Sequence, residues 1–310
     1  MYVDWHDLIE KGSFVEVDGV DVHHFDIGNG HPLLLVHGGG LSSSAEMNWG
    51  AVIKRFAEQF RVIALDQPGF GFTDPRGEVD YYPAERAKFI IEFVEELSLD
   101  SVSVVGNSEG ATISCHMALR RPDLIDHAVP VNGGMTVREF GTPVPSTKTD
   151  EPTIEAVRAE VEKYQEHYFT ETKYHPFWRE ITDEKIERLY EIEHRNWEYN
   201  NERDEAIRGT AHLYNKTLSY EGIPVARQPE DFEVPVLLPW STNPFFSLGQ
   251  YDDPEHDRGG KDPHKPLDDA YDFYKGLNEG QMHVWHDSKH HIQTDKAPEF
   301  VNVVSDFVQS

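Results

Sequence analysis

Apolar residues are arranged along the first 131 positions in two alternating rhythms. Residues 14–27 alternate loosely between apolar and polar and turn at Asp18-Gly19, which predicts a hairpin of two strands. Leu33 to Val36 is a short, continuous apolar run ending at His37-Gly38-Gly39-Gly40, the form of a buried strand feeding a loop. Arg61 to Leu65 repeats that form and ends at Asp66-Gln67-Pro68-Gly69, and the stretch from Trp49 to Phe60 between the two runs reads as helical. Within 84–97, Ala87, Ile90, Ile91, Val94 and Leu97 share one helical face, as in a helix against a core. Val102 to Val105 is the next buried strand, followed by a glycine-flanked turn, an apolar helix through Leu119 and a strand from Ile125 to Val131. Strand and helix in alternation argue for a parallel sheet covered on both faces.

Beyond residue 131 the rhythm changes. Gly141 to Pro152 is a connector rich in Pro and Thr, and residues 153 to 220 read as helical, dense in Glu, Arg, Tyr and Trp. The strand pattern resumes at 234–238. A long polar loop, a helix (267–277), a short strand (282–285) and a last helix with Phe300, Val303, Val304, Phe307 and Val308 at helical spacing complete the chain. The simplest architecture is one α/β domain interrupted by a helical insertion: core 1–134, helical cap or lid 135–230, core again 231–310.

Charge narrows the function. Against 28 Lys and Arg stand 56 Asp and Glu, a net charge of −28 that repels phosphate backbones and anionic lipid. The expected partner is therefore a small-molecule substrate, with no nucleic acid and no membrane. The single cysteine, Cys115, excludes internal disulfides and cysteine-rich zinc sites. The acidic run Asp252-Asp253-Pro254-Glu255-His256-Asp257 carries metal-ligand residue types, yet in so acidic a chain it reads as a solvated loop, and no metal is expected. Residues 1–6 have neither the basic start nor the apolar run of a signal peptide, and no stretch approaches the ~20 apolar residues of a membrane span; the expectation is a cytoplasmic protein.

Gly106-Asn107-Ser108-Glu109-Gly110 matches G-x-S-x-G between a strand and a helix, where glycines permit the tight turn that exposes a nucleophilic serine. The His37-Gly38-Gly39-Gly40 loop can aim backbone N–H groups at a developing oxyanion. His290 and His291 follow the last strand, in the chain order serine, acid, histidine, and a serine at its ordinary pKa needs such a base. His23-His24, inside the hairpin, reads as surface or packing.

These residues resemble the α/β-hydrolase family across nearly the whole chain, and within it the carbon–carbon hydrolases of 2-hydroxy-6-oxo-dienoates, the ring meta-cleavage products. The resemblance rests on Asn48 eleven residues after His37, on Asp66-Gln67-Pro68-Gly69-Phe70-Gly71, on Gly106-Asn107-Ser108, on Arg195-Asn196-Trp197-Glu198, and on His290, Gln293 and Pro298-Glu299-Phe300. It implies a mostly parallel eight-stranded sheet with helices on both faces and a helical lid inserted after strand 6. It also implies Ser108 as nucleophile, His290 as base, and an oxyanion hole from the N–H groups of Gly39 or Gly38 and Glu109. Asn48, Asn107, Arg195, Trp197 and His291 would line the substrate site, with Arg195 on a carboxylate. Neither metal nor organic cofactor is implied; dimers or larger homo-oligomers are. The family's acid pattern is matched by Gly259-Gly260-Lys261-Asp262 through Pro266, so Asp262 is the expected acid, with Asp252 or Asp253 as fallback and 241–258 as an insertion. Two positions depart from the family: Glu109 stands where Met or Phe is frequent, and His291 where Trp is common. A carboxylesterase or lactonase would share Ser108 and His290 without needing Arg195. Dehalogenases and epoxide hydrolases of this fold place an aspartate at the nucleophile position, and a slow ligand-sensing receptor is the non-enzymatic alternative.

Overall fold

The computed structural model describes residues 4–39, 43–74, 82–133, 150–209, 219–220, 223–225, 228–242 and 265–310. The chain opens with α1 (Trp5–Ile9) and the expected hairpin of β1 (Gly12–Val17) and β2 (Val20–Gly28). Asp18 and Gly19 turn it at φ 46° and 76°, the left-handed pair that a two-residue hairpin turn demands. Then follow β3 (Pro32–Val36), α2 (Ala45–Trp49), α3 (Ile53–Phe56), β4 (Arg61–Leu65), α4 (Pro83–Glu96), β5 (Val102–Asn107), α5 (Glu109–Arg120) and β6 (Ile125–Val131). Two long helices, α6 (Ile154–Tyr168) and α7 (Asp183–Gly209), and a two-residue ladder of β7 (Ser219–Tyr220) with β8 (Ile223–Pro224) lead to β9 (Val236–Ser241). The chain closes with α8 (Lys265–Gly276), β10 (Gly280–Trp285), α9 (Ile292–Asp295) and α10 (Ala297–Val308).

Eight strands form one sheet in the order β1-β2-β4-β3-β5-β6-β9-β10. The β1–β2 and β2–β4 pairs are antiparallel and all others parallel, as the sequence leads one to expect. Strands β5 and β9 are buried along their whole length, because helices lie on both faces. On one face Ile90, Val94, Ile113 and Phe273 pack over Leu34, Val104 and Leu238; on the other Trp49, Phe56, Phe300 and Val304 pack over Leu33, Leu35, Val105 and Val129. Cys115 lies wholly inside the first layer, and burial pushes its thiol pKa up.

The helix expected at 49–60 is instead two short ones. Ser44 Oγ caps the Met47 amide at 3.2 Å, which starts α2 at Ala45, ahead of the expected Trp49, and the Val52 N–H turns back to Trp49 O at 2.8 Å before α3 begins. The helical stretch after residue 153 has its own small core of Val157, Val161, Phe177, Trp178, Ile186 and Leu189, closed by Trp5 and Met47 from the sheet domain. Buried Glu46 fastens α7 to α2 through Arg188 at 3.0 Å and also takes the Trp5 indole N–H. His175 joins the two parts as well: its Nδ1 accepts from the Phe177 amide, so its Nε2–H donates to Met47 O at 3.1 Å. Of the expected domain limits, 134/135 lies outside the described residues and 230/231 falls in the 3-10 turn Pro229–Asp231.

Candidate active site

The chain runs from β3 outward to β4 in one direction and returns through β5 to β6 in the other, so the sheet reverses its winding between β3 and β5. At such a switch point the loops leaving adjacent strand ends part and open a crevice. Val36 pairs with Gly106 at this junction. The residues just beyond, His37-Gly38-Gly39 on one side and Asn107-Ser108 on the other, therefore meet at this switch point.

Ser108 has φ 59° and ψ −115°, a strained conformation for a residue with a side chain, at the N-cap of α5. The turn is possible because its glycines let backbone touch backbone. A Cβ on Gly106 would lie 2.0 Å from Gly110 O, and one on Gly110 would lie 2.2 Å from Val36 O. Gly38 is pressed against the serine itself, its notional Cβ 2.9 Å from Ser108 Cβ and 3.5 Å from Oγ. Glu109 is the first residue of α5, where backbone N–H groups have no partner within the helix and the helix end favours negative charge.

His37 sets the geometry of the glycine loop. Its Nε2 accepts the Gln67 amide at 2.9 Å, so its Nδ1 carries the proton and donates to Gly38 O at 2.6 Å. In a trans peptide the N–H points opposite to the carbonyl. With Gly38 O drawn to His37, the Gly39 N–H is turned the other way. Burial lowers the His37 pKa to about 4, which keeps this neutral tautomer in place.

His290 is buried, and its backbone is held from the Ser108 side. Asn107 Nδ2 donates to Val131 O and His290 O, both at 3.4 Å. Asn132 Nδ2 donates to the same His290 O at 2.9 Å, while Asn132 Oδ1 accepts the Ser241 amide at 2.8 Å. Asn48 Nδ2 donates to Asn107 Oδ1 at 3.3 Å, and Gln293 Nε2 lies 3.1 Å from both Asn48 Oδ1 and His291 Nδ1. The ring of His291 sits 5.1 Å from that of His290 and reaches Tyr164 Oη of α6 at 2.9 Å. Burial and the neighbouring His290 and His175 depress the His291 pKa well below its usual value.

Ser108, Gly38, Asn48, Asn107, His290 and His291 thus belong to one connected cluster. Arg195 stands apart on the exposed side of α7, because Ile192 and Asn196 turn to the interior; Asn196 Nδ2 donates to Gly71 O at 2.9 Å. The carboxylate role expected of Arg195 finds no support in that placement. Trp197 is half-buried on the same helix. Asp262, Asp252 and Asp253 lie outside the described residues. His23, with its Nδ1 2.7 Å from the buried Asp66, is packed into the fold rather than exposed. Three residues escaped the sequence reading. Asn132 and Tyr164 carry no local pattern, and Asp295 resembles any helix-end acid; the hydrogen-bonding residue types Asn and Tyr next to core elements were the only signal. Among the described residues no group of three or more His, Cys, Asp or Glu could hold a metal ion, and no helix is long and apolar enough to cross a membrane.

The chain matches the family model described as the alpha/beta hydrolase fold over residues 31–297. It is 34% identical over 128 residues to a 2-hydroxy-6-oxo-6-(2'-aminophenyl)hexa-2,4-dienoic acid hydrolase of Metapseudomonas resinovorans, across 41% of this chain and 44% of that protein. That match spans less than half of the relative's own length. Over 298 residues it is 24% identical to a 2-hydroxy-6-oxo-6-phenylhexa-2,4-dienoate hydrolase of Comamonas testosteroni, covering 93% of this chain and 91% of the other. A solved meta-cleavage product hydrolase from Pseudomonas fluorescens IP01 superimposes with a TM-score of 0.65 at 22% identity, over 97% of this chain and 98% of that one. A putative lipase from Acinetobacter baumannii AYE gives 0.71 at 16% identity, over 100% and 97%, so the structural likeness speaks for fold alone. Sheet order, the strained turn at Ser108 and the family match agree, and the chain belongs to the α/β-hydrolase fold family.

Proposed function

We propose that the chain is a serine hydrolase that cleaves a carbon–carbon bond in a 2-hydroxy-6-oxo-dienoate. The observation that carries the nucleophile is Ser108 itself, held at positive φ at the sheet's switch point with Gly38 against its side chain. His290 takes the Ser108 Oγ proton as the oxygen attacks the distal carbonyl, after the enol of the substrate has become a ketone. The oxyanion accepts hydrogen bonds from the backbone N–H groups of Gly39 and Glu109, each contributing roughly 3 kcal/mol to the barrier reduction. Gly38 is the neighbouring donor in reserve. Collapse breaks the C–C bond, His290 returns its proton to the departing carbon, and water releases the acyl group by the same steps in reverse. Asp262 is the proposed orienting acid, with Asp252 or Asp253 in its place otherwise. Asn48 and Asn107 orient polar substrate oxygens. The preference for a dienoate comes from the relatives of Metapseudomonas and Comamonas.

A second reading has its own observation. With Arg195 on the exposed side of α7, a substrate carboxylate loses its expected partner, and a neutral ester becomes the better ligand. Turnover of a yellow 2-hydroxy-6-oxo-6-phenylhexa-2,4-dienoate is to be compared with that of p-nitrophenyl acetate, for wild type and Ser108→Ala. Rapid bleaching of the dienoate that vanishes in the variant is the expected result. Ester cleavage without bleaching would move the protein to the esterases, and retained turnover in Ser108→Ala would sink the nucleophile.

A further inference from the structure

The hydrogen bonds that lead away from the nucleophile form a chain whose direction is fixed at one end. Asn107 faces two backbone carbonyls, Val131 O and His290 O, each 3.4 Å from its amide nitrogen. Carbonyls only accept, so this atom is Nδ2 and Asn107 Oδ1 points at Asn48. Asn48 must answer with its own Nδ2, at 3.3 Å, which turns Asn48 Oδ1 toward Gln293. Gln293 in turn faces Asn48 Oδ1 at 3.1 Å and Asn48 O at 3.4 Å, two acceptors, so its amide nitrogen points there and toward His291 Nδ1 at 3.1 Å. Reversing the Gln293 amide would give its Oε1, which is buried and without a hydrogen-bond partner among the described residues, a neighbour at His291. It would also set oxygen against both Asn48 oxygens, a net loss of two bonds for one.

His291 Nδ1 is therefore an acceptor. The imidazole is neutral and its proton sits on Nε2, which donates to Tyr164 Oη at 2.9 Å. The phenol oxygen receives, and its own O–H has no acceptor among the described residues. Tyr164 is clamped between two rings: Tyr168 is stacked on it at 4.2 Å and 24°, and Trp178 lies at 5.5 Å and 16°. Tyr168 is also 5.9 Å from the His290 ring, so this aromatic group adjoins the proposed base. A hydroxyl held in this way donates at little entropic cost, because its side chain is ordered beforehand.

We infer that Tyr164 is a specificity-determining hydrogen-bond donor, which selects ligands carrying an acceptor oxygen beside a flat, apolar body. The inference deepens the proposed function and rests on it only for the identity of the site. Binding is its test, so it can stand or fall without turnover. Acetophenone and α-methylstyrene have nearly the same shape, but only the ketone accepts a hydrogen bond. Both are titrated against wild type and Tyr164→Phe, with quenching of tryptophan emission, to which Trp178 contributes, as the signal. The wild type is expected to bind the ketone roughly three- to tenfold more tightly than the alkene, the range of a single neutral hydrogen bond. Tyr164→Phe keeps the ring stack, so it should leave alkene binding unchanged and abolish the preference. A preference that survives in the variant would belong to the oxyanion hole and overturn the inference. The absence of any preference in wild type, or equal weakening of both ligands in the variant, would overturn it as well. Bleaching of the dienoate, measured separately, reports on the proposed function alone.

Discussion

Asn132 uses its side chain in two senses at once, donating to His290 O and accepting from Ser241 N, with its own backbone at φ 46°. It thereby ties the end of β6 to the end of β9 and to the loop of the proposed base. Asn132→Ala and Asn132→Gly both remove the bonds, but only alanine keeps the strain of a left-handed side chain. Both should lower kcat by roughly 10- to 100-fold with little change in KM, because a displaced base misaligns the reacting atoms. In urea melts the glycine variant should be the more stable by about 1 kcal/mol. Unchanged kcat would show that the side chain does not position His290, and equal stabilities would show that its backbone is unstrained. Ser108 and His290 stand out as candidates in the sequence because a motif and a chain order mark them. Asn132 could not, since its partners lie 109 and 158 residues away.

Among elements, the short helix α9 does more than continue into α10. Its last residue, Asp295, accepts from the Thr170 and Glu171 amides of the insertion, at 2.8 and 3.0 Å, and from Lys289 N and Ser288 Oγ in the loop of His290, at 2.8 and 3.0 Å. Burial pushes its carboxyl pKa up even though these donors pull it down. One carboxylate thus couples the turn after α6 to the loop of the base. Asp295→Ala removes both acceptor oxygens and should quicken hydrogen exchange at the Thr170 and Glu171 amides by roughly tenfold, the effect of losing a bond of about 1.5 kcal/mol. Exchange in β3 and β5 should stay as it is; equal protection of Thr170 and Glu171 in both proteins would show that Asp295 does not fasten the insertion. The strands were legible because buried parallel strands are written as apolar runs. The stretch 49–60 reads as one helix because its break depends on the Ser44 cap and a local turn, neither of which disturbs the apolar pattern.

For the molecule as a whole, buried neutral histidines set the response to acid. Burial brings His37 to about 4 and His175 to about 3, whereas both titrate near 6.5 once unfolded. Between those values the unfolded chain binds more protons, so the stability they confer is complete above pH 6.5 and is lost as pH falls through the window. For His37 the full loss is about 3 kcal/mol. Urea stability of the wild type should therefore decline from pH 6.5 downward. His175→Gln should flatten that decline by about 1.4 kcal/mol per pH unit, the slope of one proton. An unchanged slope would mean that His175 titrates in the fold as it does in the open chain. The sequence displayed the histidines and the net charge of −28, but not which imidazoles lose their water. That depends on Met47, Phe177 and Gln67, which the fold alone brings to them.

The switch-point crevice has a consequence for the life of the chain before it is complete. Strands β3, β5 and β6 and helix α5, which build the serine turn and its glycine loop, all come from residues 32–131. His290 follows Asn107 by 183 residues, about 10 to 40 s of synthesis at the usual ribosomal pace. Throughout that interval the emerging protein carries the proposed nucleophile without its proposed base. The amides of Asn107 and Asn132 form the berth at which the proposed base docks, so the proposed reactivity arrives only with the closing of the fold.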